Sequence, residues 1–219
     1  MDSLAVLMDE IDAEMRLTAG FTGRTELSPA VREAMLKVPR DSFVPEADKG
    51  LAYANRPLPI GHGQTISQPF IVALMTELLD PKKTDIVLEV GTGSGYEAAI
   101  LAEIVEHVYT VEIVEELANR ARQSLAGYVN VDVRLGDGNQ GWPEYAPYDS
   151  IIVAAAAEEV PPALVAQLKI GGRMVLPVGK PFGDQDLMLV LKDRFGGISE
   201  RSVLPVAFVP LRGPRWRRR

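Results

Sequence analysis

Cysteine is absent from this 219-residue chain. Disulfides, thiolate metal sites and cysteine nucleophiles are therefore excluded outright. Histidine is nearly absent too, with His62 and His107 alone, and no metal site is expected. No apolar run approaches the ~18 residues that span a bilayer. The longest, Ile151 to Ala157, has the length of a strand, so no membrane partner is expected. A basic excess is missing as well. The formal net charge is −7, which argues against nucleic acid as a partner. The N-terminus carries Asp2, Asp9, Glu10, Asp12 and Glu14, and so lacks the basic and apolar regions of a signal peptide. The expectation is a cytoplasmic protein and, with no apolar excess to suggest an obligate assembly, a monomer.

What is present suits one globular domain with an extension. The hydrophobic fraction of 47% is ordinary for such a protein and can supply a full core. Three divisions are expected: a helical extension with a loop over 1–80, a nucleotide-binding core over 81–212, and a basic tail over 213–219. The tail holds Arg215, Arg217, Arg218 and Arg219 and is read as frayed and solvated in preference to an anion-binding arm.

Leu4, Leu7, Met8, Ile11 and Met15 have helical spacing, and Ser28-Pro29 opens a second helix that Pro39 stops. Residues 44–69 are rich in Pro and Gly and read as a long functional loop. A helix over 70–79 follows. Strands are expected at 86–90, 108–112, 131–135 and 149–155, with helices near 95–105, 114–126 and 160–168. Three more strands, 173–177, 187–192 and 202–209, lack a helix between them. The fold class is α/β: a doubly wound, mostly parallel sheet with an antiparallel C-terminal edge and an N-terminal helical extension.

The most informative stretch is Ile86-Val-Leu-Glu-Val-Gly-Thr-Gly-Ser-Gly-Tyr96. An apolar run ends in Gly91, Gly93 and Gly95, and Glu112 closes the next apolar run. Strand, glycine turn, helix, strand and acid form the layout of a nucleotide site, the acid accepting from a ribose diol. The dinucleotide pattern G-x-G-x-x-G is not met, because the third glycine comes one residue early. No Gly-Lys-Ser/Thr follows either. The ligand is therefore a nucleoside without pyrophosphate. Asp137, in Leu135-Gly-Asp-Gly138, ends the third strand. It can accept from an adenine amino group or serve as an Asp-Gly turn residue.

Gly91, Gly93, Gly95, Glu112 and Asp137, in this order, resemble the class I S-adenosylmethionine-dependent methyltransferases. The resemblance narrows with Val38-Pro-Arg-Asp-Ser-Phe-Val-Pro45, Arg56-Pro-Leu-Pro-Ile-Gly61 and Gly63-Gln-Thr-Ile-Ser-Gln-Pro69. Tyr148–Val153, Leu168–Gly179 and Phe208–Leu211 agree, and together these segments resemble the protein-L-isoaspartate O-methyltransferase family. Asn55 departs from it, standing where an acid is common.

The resemblance implies methyl transfer from S-adenosyl-L-methionine, with S-adenosyl-L-homocysteine as product. The acceptor is the free carboxylate of L-isoaspartyl residues and, more slowly, D-aspartyl residues. The resulting ester reforms a succinimide that reopens partly to aspartate, so repair begins. The resemblance assigns the donor to Thr65, Ile66, Gly91, Thr92, Gly93, Gly95, Glu112, Asp137 and Gly138. It places Ser67 at the reaction centre, and Leu211 and Arg212 over an acceptor peptide bound extended. His62, in the Gly61-His-Gly63 loop, is a candidate lining residue for the substrate. Asp149 is expected to support the glycine turn without touching the ligand. The acceptor carboxylate, with an ordinary pKa of ~3.9, is already a nucleophile at neutral pH and needs no general base. Ser67 has no histidine relay and is read as a hydrogen-bond donor to that carboxylate or as a cap for the following helix. Three alternatives remain: a methyltransferase with another acceptor, an NAD-linked oxidoreductase, and an inactive binding module.

Overall fold

The computed structural model describes residues 3–181 and 183–213. The four tail arginines lie outside them. Helix α1, Ser3–Thr22, buries Leu7, Met8, Ile11 and Met15, the residues whose spacing predicts it. Helix α2, Pro29–Lys37, starts with the Ser28 hydroxyl accepting from Val31 N and ends at the extended Val38 that Pro39 requires. The 44–69 segment is more ordered than its composition suggests. It holds a 3-10 turn, Glu46–Leu51, and a hairpin of β1, Leu58–Gly61, with β2, Gln64–Ile66. Helix α3, Pro69–Leu79, follows and is buried on nearly every side.

The remaining strands are β3, Ile86–Val90; β4, His107–Glu112; β5, Val131–Leu135; β6, Tyr148–Val153; β7, Leu168–Gly179; β8, Gln185–Lys192; and β9, Ile198–Val206. They form one sheet in the order β5-β4-β3-β6-β7-β8-β9. The first five are mutually parallel, and β8 and β9 run antiparallel. This is the expected doubly wound class with an antiparallel edge. Helices α4, Tyr96–Ala102, α5, Glu115–Ser124, and α6, Pro162–Gln167, make the crossovers. α4 is shorter than its expected range and β7 is longer, starting directly after α6.

Alternate residues of β3 serve two cores. Val87 joins α1, α2, α3 and α4 on one face, while Leu88 and Val90 join Tyr148, Ile151 and Leu176 on the other. β3 is also where the winding reverses, with β4 on one side and β6 on the other. Ligands of open α/β sheets bind beyond the carboxyl ends of the strands at this reversal.

Candidate active site

The turn after β3 needs glycine three times. Gly91, Gly93 and Gly95 have φ of 94°, 54° and 90°, a region that side chains with a Cβ rarely enter. Gly95 also carries a packing role. A Cβ there would lie 3.0 Å from Leu125 Cδ1, just beyond α5. The third glycine of the dinucleotide pattern packs helix against strand; here the early glycine lets α4 approach Leu125.

Glu112, at the end of β4, spans this turn. Its Oε2 accepts from Gly93 N and its Oε1 from Val114 N, each at 2.8 Å. The carboxylate thus holds the turn in place and keeps further acceptor capacity on both oxygens. Beside it the Thr92 and Thr110 hydroxyls meet at 2.6 Å.

A cleft of about 750 Å³ opens here, its mouth included. One wall is the glycine turn, and a second is the end of β4 with Ile113 and Val114. A third is Gln64 to Ser67, carried across the cleft by the β1–β2 hairpin. Arg120 of α5 donates to Ile60 O and Arg212 to His62 O, which fixes the hairpin backbone. The roof is Val209 to Arg212. Gln185 holds this strap through both backbone polar groups of Phe208, accepting from its N at 2.7 Å and donating to its O at 3.1 Å. Leu211 N donates to Ala156 O at 2.7 Å.

The cleft brings together Thr65, Ile66, Ser67, Gly91, Thr92, Gly93, Glu112, Gly138, Leu211 and Arg212. Three expected residues stand aside. Gly95 lies beneath the turn. Asp137 starts a 3-10 turn, and its Oδ1 accepts from Asn139 N and Nδ2, which is the Asp-Gly turn geometry. His62 is exposed at the hairpin tip with φ 55°, where its carbonyl faces Arg212. Asp149 is a clear correction. It lies at the opposite end of the sheet, where its carboxylate accepts from Ile86 N and Lys169 Nζ. Its neighbours there are the first residue of β3 and the second of β7, because parallel strands start at the end away from the ligand.

A second groove, of about 1190 Å³ with its open side included, shares Thr65, Ser67, Ala154 and Val209 with the cleft. Phe70, Ile71, Leu204 and Phe208 give it an apolar wall, and Glu14 and Gln68 a polar one. Ser67 therefore stands where the two spaces meet. Its hydroxyl is not the cap of α3: Gln68 occupies that position, and Asn55 Oδ1 accepts from Phe70 N at 3.0 Å. Asn55 Nδ2 in turn donates to Glu14 Oε1 at 2.7 Å.

Arg40, Glu89 and Glu97 have no role in the sequence reading, and all three are buried. Arg40 Nε donates to Ala52 O at 2.9 Å and Nη2 to Ser67 O at 2.7 Å, with its guanidinium 4.9 Å from the Tyr96 ring centroid. Burial lowers it to about 10, so it stays cationic at neutral pH. It lies within Val38–Pro45, a stretch that marks the family resemblance and left this role unread. Glu89 and Glu97 line the cleft floor. Burial raises Glu89 well above the ordinary carboxyl range and Glu97 to about 8. The visible signal for Glu89 is an acid on the face of β3 that Val87 gives to the core.

A glycine turn at the winding reversal of a doubly wound sheet, closed by an acid on the next strand, with the third glycine early and an antiparallel edge, is the arrangement of a class I S-adenosylmethionine-dependent methyltransferase. The family model for protein-L-isoaspartate(D-aspartate) O-methyltransferase matches residues 21–215. The chain belongs to that family. Protein-L-isoaspartate O-methyltransferase 2 of Syntrophobacter fumaroxidans is 57% identical over 95% of this chain and 85% of its own. That of a Polaromonas strain is 58% identical over 95% of this chain and all of its own. A solved protein-L-isoaspartate O-methyltransferase superposes with a TM-score of 0.81 at 28% identity, over 94% of this chain and 66% of that one.

Proposed function

We propose that the protein transfers the methyl group of S-adenosyl-L-methionine to the free carboxylate of L-isoaspartyl, and also D-aspartyl, residues in damaged peptides and proteins. S-adenosyl-L-homocysteine is the second product, and the ester begins repair through a succinimide. The observation that carries this reading is Ser67, set between a nucleoside-sized cleft and a peptide-sized groove.

The donor side fits the group. Gly91, Thr92, Gly93 and Gly138 offer backbone at close range, with Gly95 setting the turn from beneath. Glu112 keeps acceptor capacity for hydroxyls, Thr65 and Ile66 flank from the hairpin, and Asp137 reaches adenine by releasing Asn139. Glu89 offers a buried carboxyl with no hydrogen-bond partner for either oxygen among the described residues. When bound, the donor supplies an electrophilic methyl group on a sulfonium. The chain supplies alignment and dryness. The Ser67 hydroxyl orients one oxygen of the acceptor, Arg40 fixes the Ser67 carbonyl, and the Val209–Arg212 strap keeps water out. No side chain needs to remove a proton, since the acceptor is ionised at neutral pH.

The acceptor peptide lies extended along the groove beside β9, the last strand of the sheet, with Leu211 and Arg212 over it and His62 near its entrance. Backbone-led contact suits damage that arises in many sequences. Residues 1–80 then serve the acceptor and 81–212 the donor. The protein works as a monomer in the cytoplasm; sedimentation and cell fractionation test those two statements.

The deciding experiment supplies labelled S-adenosylmethionine with paired peptides that differ only in isoaspartate or aspartate. Base-labile label on the isoaspartyl peptide alone is expected. Equal labelling of both, or of neither, defeats the proposal.

A further inference from the structure

Three carboxyl groups crowd the floor of the donor cleft, and their environments differ. Glu112 is engaged by two backbone N–H groups. Glu97, on α4, receives the Thr76 hydroxyl of α3 at 2.8 Å on one oxygen. Glu89, on β3, has neither oxygen hydrogen-bonded among the described residues. The Thr110 hydroxyl is the group that favours its charged form, and that hydroxyl also meets the Thr92 hydroxyl. A buried unpartnered polar group costs free energy, and one that lines a ligand cleft can recover it when the ligand binds.

The surroundings are anionic. Glu89 faces Glu97 on α4 and Glu112 on β4. Tyr96 on α4 lies beside Glu97 and is held in its neutral form by burial. The cations nearby face elsewhere: Arg40 lies over Tyr96, and Arg212 of the strap faces Glu112. Two buried acids close together cannot both ionise cheaply without a cation.

We infer that Glu89 and Glu97 act as a proton-linked charge sensor: one carboxyl of the pair ionises when the cationic donor enters, and regains its proton when the neutral thioether product takes its place. The inference rests on the methyltransferase reading. The proton leaves to bulk water and returns from it, so the cycle balances. Burial favours the protonated form of both acids, raising Glu97 to about 8 and Glu89 well above the ordinary carboxyl range. The charge of Glu97 raises the Glu89 carboxyl further, so the released proton is assigned to the two acids together and to neither alone. The pair thereby favours the donor over the product by the one charge in which the two differ.

Calorimetry at pH 7 in buffers of different ionisation enthalpy counts the protons exchanged on binding S-adenosylmethionine and S-adenosylhomocysteine. Wild type is expected to release more protons with the donor. The ligand's own amino group, near the α-amino range of ~7.7–8.0, takes up protons in an anionic site and so opposes the expected sign. Glu89→Gln/Glu97→Gln, which imitates the doubly protonated pair, should abolish the excess release. It should also reduce the donor-to-product affinity ratio by roughly tenfold. Equal release for both ligands in wild type overturns the inference whether or not the variant folds, as does excess release that persists in a folded variant. If both ligands bind without the difference, the sensor alone falls. If neither binds, the methyltransferase reading falls with it.

Discussion

Gly95 meets two separate demands, a φ of 90° and the approach of Leu125. Gly95→Ala should cost about 1–3 kcal/mol of stability. Adding Leu125→Ala should recover nothing for the backbone strain and should open a cavity of its own, so thermal denaturation of the double variant will show no net rescue. Ser67→Ala should lower kcat/KM by about tenfold to a hundredfold, the range for a lost hydrogen bond to a charged group, and change donor affinity far less. Glu97 gives a pH signature. Its folded value is raised to about 8 from 4.5, so the folded state binds more protons than the unfolded one between these values. Its stabilisation is therefore fully present below about pH 4.5 and is lost as pH rises through about 8. Denaturant titrations should show stability falling across that window by at most about 1.4 kcal/mol per pH unit for this group, with a flatter profile in Glu97→Gln. The glycines and Glu112 could be read from spacing alone. Asp137 and Asp149 show the limit of that reading. Chain position gives the end of a strand on which an acid falls, but the side chain then chooses between ligand and local backbone N–H groups. Arg40 is illegible for a related reason: arginine in a Pro-rich stretch looks like surface until two distant carbonyls are found around it.

Among the elements, β3 and β5 match their expected ranges end to end, because a mostly apolar run in β3 and an alternating one in β5 each end at a glycine. The β1–β2 hairpin was hidden by Pro57, Pro59 and its glycines. Proline is tolerated there because the two strands form a sheet of their own, in which Pro59 lies on an exposed position. Helix α3 shows how elements are tied together. Asn55 joins its first turn to Glu14 of α1, and burial already raises the Glu14 carboxyl above its ordinary value. Asn55→Asp would set a second acid against it. The variant should lose about 1 kcal/mol at neutral pH, and the loss should shrink toward pH 4 as the pair takes up protons. Urea denaturation at both pH values checks this. Arg120→Ala should free the hairpin from α5. Donor association and dissociation should both quicken in stopped-flow measurements, with the equilibrium constant moving less than either rate.

At the scale of the whole molecule, a continuous sheet carries a site whose walls come from distant parts of the chain. The fold class follows from strand–helix alternation, and the antiparallel edge from the loss of that alternation after β7. The roof does not follow from any pattern. Residues 208–212 have no regular structure and are placed by Gln185 and Ala156, with Asn139 and His62 meeting Arg212 at the far end. Gln185→Ala should unseat the strap and weaken donor and acceptor binding together, which equilibrium binding of each ligand will show.

The N-terminal helix α1 packs on β9, the last strand made, and Arg201 donates to Phe21 O across 180 residues of sequence. At translation speeds of about 5–20 residues per second, α1 emerges on the order of ten seconds before the strand it rests against. Until then the part of α1 that rests on β9 lacks that cover. A nascent chain of this protein thus carries a partly uncovered amphipathic helix through most of its own synthesis.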